Sequence, residues 1–197
     1  MNRQAHRHAT AAERRLYAGR PRVTYKGSFA QFVVRGRWEY IERRNCRGAV
    51  VIIAVTDEDR LVLTEQFRVP VQRSVIELPA GLIGDKRAHR AEAPSLAARR
   101  ELLEETGYHA RRIVPVAQGP TTAGLTSEQI WIVRADGLTK RGAGGGDGHE
   151  IITVHEVPLS SIHAWLKRMQ VSGRLVDIKI FAGLELLKHG AASRARR

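Results

Sequence analysis

The sequence predicts an α+β fold in which a mixed β-sheet has helices on its faces and a small antiparallel lobe precedes it. Strand-like patterns fill the chain from Arg22 to Leu78, and one helical pattern follows them. Further strand patterns then lead to two closing helices. Strands, a helix, strands and helices in this order are typical of helices packed on a mixed sheet.

The amino-terminal third of the chain predicts an antiparallel meander. Val23–Tyr25, Phe29–Val34 and Trp38–Arg43 contain alternating, β-branched or aromatic residues, and glycine-containing turns separate them. The preceding residues 1–20 are polar, with at most a short helix around Ala11–Tyr17.

The next segment predicts the centre of the sheet. Gly48–Thr56 is a continuous apolar run, which favours a strand buried on both faces. The acidic residues 57–59 form a turn, and we expect Arg60–Phe67 to return as a neighbouring strand in a hairpin-like pair. Ser74–Leu78 predicts another short strand.

A helix is predicted from Pro94 to Thr106, with Gly107 after it as a left-handed cap. On this helix Glu101, Glu104 and Glu105 fall within an arc of about 100°. Leu96 and Leu103 lie on the opposite side, where we expect them to anchor the helix in a core. Three carboxylates on one face fit either a site for Mg²⁺ or Mn²⁺ or an ordinary solvated acidic face.

A glycine-rich segment, residues 141–149, follows the later strands. Five glycines in nine residues predict a mobile backbone, which is either a linker or a loop that can close over a site. The segment leads directly to Glu150. The remaining predicted elements are strands at Arg111–Gln118, Gln129–Ala135 and Ile151–Val157, and helices at Ser160–Met169 and Asp177–Lys188.

Composition limits the classes of function. The formal net charge is +13, but most of the excess lies in residues 1–47 and in the tail from Ala191, without a nucleic-acid-binding signature, so no nucleic acid partner is expected. The single cysteine, Cys46, excludes an internal disulfide and suits a reducing compartment. No secretory signal and no membrane-length apolar run is present, so we expect a cytoplasmic protein without a membrane partner. The histidines form no zinc-binding spacing.

Glu92, seven further residues, and then the run from Arg100 to Tyr108 resemble the box of the Nudix hydrolase family, G-x5-E-x7-R-E-U-x-E-E-x-G-U, where U is a bulky apolar residue. One departure is an insertion. Ten residues separate Gly81 from Glu92 where the family has five, and we place the extra residues within 84–91, in a loop.

The resemblance implies the Nudix fold and a divalent metal ion, Mg²⁺ or Mn²⁺. It also implies that Arg100 partly neutralises the acidic cluster, that Glu92 positions Arg100, and that Glu150 is a general base or a further ligand. The implied metal ligands are the main-chain carbonyl of Ala80 and the carboxylates of Glu101, Glu104 and Glu105.

The segments Glu65–Arg68 and Ile76–Gly81 resemble the branch that hydrolyses ADP-ribose and nucleotide sugars. Trp38 is either a stacking platform for the nucleobase or an ordinary strand aromatic in the core or a dimer interface. Arg68 either contacts substrate or forms a surface salt bridge, and the same two readings apply to Arg43. The implied substrate-binding residues are Trp38, Arg43, Arg68 and Glu128.

Ala123 stands where the ADP-ribose enzymes usually carry proline, so the resemblance supports the branch better than the particular sugar. Two alternatives remain. One is a Nudix enzyme acting on RNA 5′ ends or dinucleotides, and the other is a non-catalytic regulator that binds ADP-ribose.

The predicted organisation has four parts. These parts are a flexible basic segment at 1–20, a β lobe for dimerisation and base binding at 21–46, a Nudix hydrolase domain at 47–190 and a basic tail at 191–197. The resemblance to the branch also implies a homodimer.

Overall fold

The computed structural model describes residues 10–16, 18–85, 89–146 and 151–194. It divides into two compact units. The first comprises residues 1–45 and 120–128, and the second comprises residues 46–119 and 129–197. Each unit is described by itself below.

The first unit contains a three-stranded antiparallel sheet in the order β1-β2-β3. Its strands are Arg22–Lys26 (β1), Ala30–Arg35 (β2) and Trp38–Arg43 (β3), so the predicted meander is confirmed. A short helix, Ala11–Leu16 (α1), precedes the sheet. Thr10 caps this helix, since its hydroxyl accepts from the amide of Glu13 while the Glu13 carboxylate accepts from the amide of Thr10.

One four-stranded sheet of the second unit is centred on β4. It has the order β7-β4-β9-β8, formed by Ala49–Ala54 (β4), Ala80–Leu82 (β7), Tyr108–Pro120 (β8) and Gln129–Lys140 (β9). Strand β4 pairs antiparallel with β7 and parallel with β9. It is buried along nearly its whole length, as the continuous apolar run predicts.

The other four-stranded sheet of the second unit has the order β10-β5-β6-β11. Its strands are Arg60–Arg68 (β5), Arg73–Glu77 (β6), Thr153–Pro158 (β10) and Leu175–Val176 (β11). The predicted pairing of β5 with β4 is wrong. Only the bridge between Val55 and Leu61 joins them, after which the chain crosses from one sheet to the other. Strands β4 and β5 are each buried on both faces. Each therefore pairs with other strands in its own sheet and needs other elements packed against that sheet.

Three helices complete the second unit: Pro94–Thr106 (α2), Ile162–Val171 (α3) and Ile178–Arg194 (α4). The α+β prediction is confirmed. None of the helices in the described ranges is long and apolar enough to cross a membrane.

Two apolar cores fill the second unit, and β4 contributes to both. Val51 and Ile53 belong to the first core, which also receives Leu166 of α3 and Ile180 of α4. The alternate β4 residues belong to the second core, beside α2. The second core contains Val50, Ile52, Ala54, Val62, Ile83, Ala97, Ala98, Leu102, Tyr108, Ala110, Val133 and Ala135.

Candidate active site

Helix α2 begins and ends where the sequence predicts. Pro94 occupies its first turn, where a missing amide hydrogen costs no helical hydrogen bond. Gly107 ends it with φ 72°, in the left-handed region, and donates its amide to the carbonyl of Leu103 at 2.9 Å.

The buried face of α2 includes one of the three acids, Glu105, and the expected burial of Leu96 and Leu103 is wrong. Leu96 and Leu103 are 56% and 42% exposed, whereas the side of the helix that bears Ala98, Leu102 and Glu105 packs against the core. Glu105 itself is only 4% exposed. Because carboxylates are rarely buried without a partner, this orientation indicates a site rather than a solvated acidic surface.

Arg100 lies among the carboxylates. Its Nη1 donates to Glu101 Oε1 at 2.7 Å and to Glu104 Oε2 at 3.4 Å. Its Nη2 donates to Glu92 Oε1 at 3.0 Å and to the carbonyl of Leu82 at 3.1 Å. Glu92 thus contacts Arg100, which fits its expected positioning role. The guanidinium holds three side chains of the box together through its two terminal nitrogens, whose geometry is fixed.

Burial and charge act in opposite directions on these groups. Burial raises the pKa of Glu101 to about 7, because it outweighs the attraction of Arg100. Burial also favours a raised pKa at Glu92, but hydrogen bonds from Arg100 and from the amide of Gly84 hold its pKa below the usual value. Burial disfavours the charged form of Arg100, yet Glu92 and Glu101 raise its pKa, so it remains a cation.

Glu105 and Glu101 each depend on the strand β7. The amide of Ala80 donates to Glu105 Oε2 at 3.1 Å. Gly81 leaves space for Glu101, since a Cβ atom at Gly81 would lie 1.9 Å from the Cδ atom of Glu101. A side chain at position 81 would therefore displace the Glu101 carboxylate from its present position.

The inserted loop adds a carboxylate that the sequence pattern did not identify. Asp85 Oδ1 lies 3.9 Å from Arg100 Nη2, and it is buried without a hydrogen-bond partner in the described part of the chain. His89 Nδ1 and Arg100 Nε are likewise buried without a hydrogen-bond partner among the described residues. Spacing could not identify Asp85, because the insertion lies outside the family pattern.

The donor set fits a divalent cation. Carboxylate oxygens are the ligands that Mg²⁺ and Mn²⁺ prefer, and a bound cation would offset the burial that raises the pKa of Glu101. No group of three His, Cys, Asp or Glu side chains within the described ranges is already arranged to hold a metal ion. Arg100 Nη1 contacts Oε1 of Glu101 and Oε2 of Glu104, so one oxygen of each carboxylate is already engaged by the guanidinium.

Arg68, on β5, donates its Nε to Glu77 Oε2 at 2.7 Å. Glu77 is buried and was not identified from the sequence. This contact is the salt bridge that was one of the two interpretations of Arg68 from the sequence. The other interpretation, that Arg68 contacts substrate, stays a prediction.

The first unit contains a cavity of about 550 Å³ beside β3. Trp38, 48% exposed, lines it together with Tyr40 and Glu42, which share its face of the strand. Gln31 donates to Glu42 at 2.9 Å. Burial, followed by the neighbouring Glu42, raises the pKa of Tyr40. The cavity is lined by Arg35, Trp38, Tyr40, Glu42, Ala123, Gly124, Thr126 and Ser127.

Arg43 and Glu128, two predicted substrate-binding residues of the first unit, contact each other. Arg43 Nε donates to Glu128 Oε1 at 2.5 Å. Residues 124–128 pair with β3 here, since the amide of Ile41 donates to the carbonyl of Leu125 at 2.9 Å. Ala123, at the position where the branch usually has proline, lines the same cavity as Trp38. Glu150 lies outside the described residues.

Comparisons with known proteins identify the family of this chain. A protein-family model, described as the NUDIX domain, matches residues 46–176 of this chain. The chain is 33% identical over 145 residues to the methanol dehydrogenase activator of Bacillus methanolicus, covering 72% of this chain and 76% of that protein. It is 32% identical over 154 residues to the ADP-ribose pyrophosphatase of Bacillus subtilis strain 168, covering 76% and 77%.

Among solved structures, the chain is similar to a crystal structure of an ADP compounds hydrolase. The TM-score is 0.69 at 20% sequence identity, and the match covers 90% of this chain and 95% of that chain. At this identity the likeness shows the fold.

Proposed function

This chain belongs to the Nudix family of hydrolases, and we propose that it hydrolyses the pyrophosphate bond of a nucleoside diphosphate sugar. ADP-ribose is the first candidate substrate, with AMP and ribose 5-phosphate as products. The observation that carries the proposal is the carboxylate cluster at α2, in which Glu101, Glu104 and Glu92 surround Arg100. The name of the Bacillus subtilis relative supports ADP-ribose.

Glu101, Glu104 and Glu105, with the main-chain carbonyl of Ala80, would hold Mg²⁺ or Mn²⁺. When bound, the divalent ion neutralises the anionic oxygens of the pyrophosphate and polarises phosphorus. Arg100 balances the charge of the carboxylates and keeps Glu101 and Glu104 on one side of the helix. Glu92 fixes Arg100 from the other side.

In the reaction a water oxygen forms a bond to one phosphorus, and the bond from that phosphorus to the bridging oxygen breaks. We assign the proton of the water to Glu150, on the resemblance to the family alone. The bridging oxygen leaves on the second phosphate, so one product is a nucleoside monophosphate and the other a sugar phosphate.

On the binding side, we propose that Trp38 stacks on the nucleobase and that Arg43, Arg68 and Glu128 contact substrate. The cavity beside Trp38 supports the platform role, since stacked bases need an accessible aromatic face. Arg43 and Arg68 each already hold a carboxylate, which keeps the guanidinium oriented.

We also propose a homodimer formed through the lobe of the first unit. Strand β1 is exposed along its whole length at the edge of its sheet. Val23, Tyr25 and Phe29 are exposed apolar side chains on or beside this edge, and a second copy of the chain would cover them.

The test is a hydrolysis assay with ADP-ribose, GDP-mannose, UDP-glucose, a diadenosine polyphosphate and 5′-triphosphate RNA. Each substrate is run with Mg²⁺, with Mn²⁺ and with EDTA, and the products are identified by chromatography. We expect metal-dependent release of a nucleoside monophosphate from a nucleotide sugar. In ¹⁸O-labelled water, the label identifies the phosphorus that is attacked.

Glu101→Gln is the matched control in this assay, because it removes one carboxylate charge of the cluster and keeps the side-chain shape. If the protein hydrolysed only RNA or only dinucleotides, that substrate class would replace the nucleotide sugars in the proposal. Binding of ADP-ribose without hydrolysis under any condition would favour the regulator that the sequence left open.

A further inference from the structure

The glycine-rich segment that follows β9 is bound to the end of α2. The amides of Arg141 and Gly142 both donate to the carbonyl of Gly107, at 2.7 and 3.2 Å. The amide of Gly145 donates to the carbonyl of Glu105 at 2.8 Å, and that of Gly146 to the carbonyl of Glu104 at 3.1 Å. The described part of the segment is therefore docked, in contrast to the mobility expected from its composition.

These hydrogen bonds satisfy carbonyl groups that every helix leaves unpaired in its last turn. Two of the carbonyls belong to Glu104 and Glu105, whose side chains are proposed metal ligands. Glu105 is held at both ends, because its carboxylate accepts from the amide of Ala80 and its carbonyl accepts from the amide of Gly145. The segment 141–146 thus restrains the backbone of the turn that carries the site.

Only glycine permits this contact at two positions. Gly144 has φ 74°, and a Cβ atom there would lie 2.5 Å from the carbonyl oxygen of Glu105 and 2.5 Å from the carbonyl carbon of Thr106. Across the contact, a Cβ atom on Gly107 would lie 2.0 Å from the carbonyl oxygen of Gly142. The obstructing atoms are backbone, so they cannot move aside as a flexible side chain can.

We propose that Gly144 is a positioning residue for the reaction. By allowing the segment 141–146 to dock, it fixes the last turn of α2 and so the direction of Glu104 and Glu105 toward the metal ion. This role rests on the proposed function, because it concerns the same carboxylates. It is distinct from the roles of the box residues, since Gly144 lies outside the box and touches only backbone.

The decisive variant is Gly144→Ala, and Gly142→Ala is its control for an added methyl group at a position without a positive φ. Both add one methyl group to the same segment, but a Cβ atom on Gly142 meets nothing within 4 Å. Gly107→Asn tests the contact from the helix side. Asparagine tolerates the left-handed conformation of the cap, whereas its Cβ atom collides with the carbonyl oxygen of Gly142. Gly107→Asn therefore also decides the outcome if Gly144→Ala does not fold.

The first readout is amide hydrogen exchange in the metal-free protein. We expect Gly144→Ala and Gly107→Asn to accelerate exchange at Gly145 and Gly146 by about tenfold or more, and Gly142→Ala to leave it unchanged. The second readout is Mn²⁺ binding by electron paramagnetic resonance. Its dissociation constant should rise by about 10–100-fold in the first two variants. In the hydrolysis assay, kcat should fall with little change in KM for the nucleotide.

Equal exchange in Gly144→Ala and Gly142→Ala would overturn the proposal, because the segment would then dock without needing glycine. Faster exchange with unchanged Mn²⁺ binding would also overturn it, since the contact would not position the carboxylates. If the wild-type protein hydrolyses no nucleotide, the proposed function fails. The exchange and Mn²⁺ measurements would still decide the role of Gly144.

Discussion

Helices α2 and α3 both pack on sheets of the second unit, but of the two only α2 buries a carboxylate together with its apolar residues. Helix α3 follows the usual pattern, with Ile162 and Leu166 buried while His163 and Lys167 are exposed. Helix α2 also buries apolar residues, Ala97, Ala98 and Leu102, but Glu105 is buried beside them, and its leucines at 96 and 103 face outward.

The difference separates residues that maintain the fold from residues that perform chemistry. An apolar face packed on a sheet stabilises a helix at no electrostatic cost. A carboxylate in the same place must be compensated, as Arg100 and the amide of Ala80 do for the acids of α2. We therefore expect the acids of α2 to act in the chemistry and the buried apolar residues of α3 to act in stability, and the predictions below test that distinction.

The largest effect is expected from Glu105→Gln. The substitution keeps the shape of the side chain but removes a charge proposed to hold the metal ion, so kcat should fall by about 10³-fold while the fold is retained. Steady-state kinetics and circular dichroism measure the two effects. Glu58→Gln, at an exposed position in the turn before β5, is the control. Activity near that of the wild type in Glu105→Gln would remove Glu105 from the site.

A change on the ordinary helix should act on stability instead. Leu166 is 1% exposed, so Leu166→Ala leaves a cavity and should lower the free energy of unfolding by about 2–5 kcal/mol. Urea denaturation measures the loss. The kcat per folded molecule should stay at the wild-type value. A fall in kcat as large as that of Glu105→Gln would contradict the separation of the two helices.

A smaller effect is expected at Glu65, a largely buried carboxylate outside the box. Burial favours a raised pKa, but hydrogen bonds from Arg174 at 2.7 Å and His155 at 2.9 Å hold the pKa of Glu65 below its usual value. This direction is opposite to that of Glu101. A lowered pKa stabilises the fold above the unfolded-state pKa of about 4, and the contribution disappears as the pH falls through the folded value.

Glu65→Gln should therefore lower the free energy of unfolding by about 1–2 kcal/mol at pH 7. The difference from the wild type should shrink as the pH falls below about 4. Denaturation curves across pH 3–7 measure it. A difference independent of pH would show that the carboxylate charge contributes nothing.

The smallest effect is expected from Leu96→Ala. It makes the same chemical change as Leu166→Ala, but on the exposed side of α2, so the free energy of unfolding should change by no more than about 0.5 kcal/mol. A loss comparable to that of Leu166→Ala would mean that another surface covers this leucine in solution.

Much of the fold could be predicted because local rules determine it. Proline and glycine fixed both ends of α2, alternation identified β3, and the uninterrupted apolar run identified β4 as a strand buried on both faces. The box spacing brought Glu92 and Arg100 into contact across eight residues. The strands β7 and β11, with three and two residues, are too short to produce a pattern.

The errors have a common physical origin. Sequence rules assume that leucine is buried and glutamate exposed, whereas on α2 Leu96 and Leu103 are exposed and Glu105 is buried. They also treat a run of glycines as mobile. Gly144 shows that the same residue can be required because a backbone approaches too closely for any side chain. Only the tertiary structure distinguishes these two uses of glycine.

The position of β4 between the two cores has a consequence for how the second unit melts. Its odd-numbered residues Val51 and Ile53 pack with α3 and α4, and its even-numbered residues pack with α2. Neither core can lose this strand while the other stays intact. We therefore expect a single calorimetric transition for the second unit, with the calorimetric and van't Hoff enthalpies equal. Helix α2, which has a carboxylate on its buried face, therefore need not be stable by itself, because it unfolds only when the rest of the second unit unfolds.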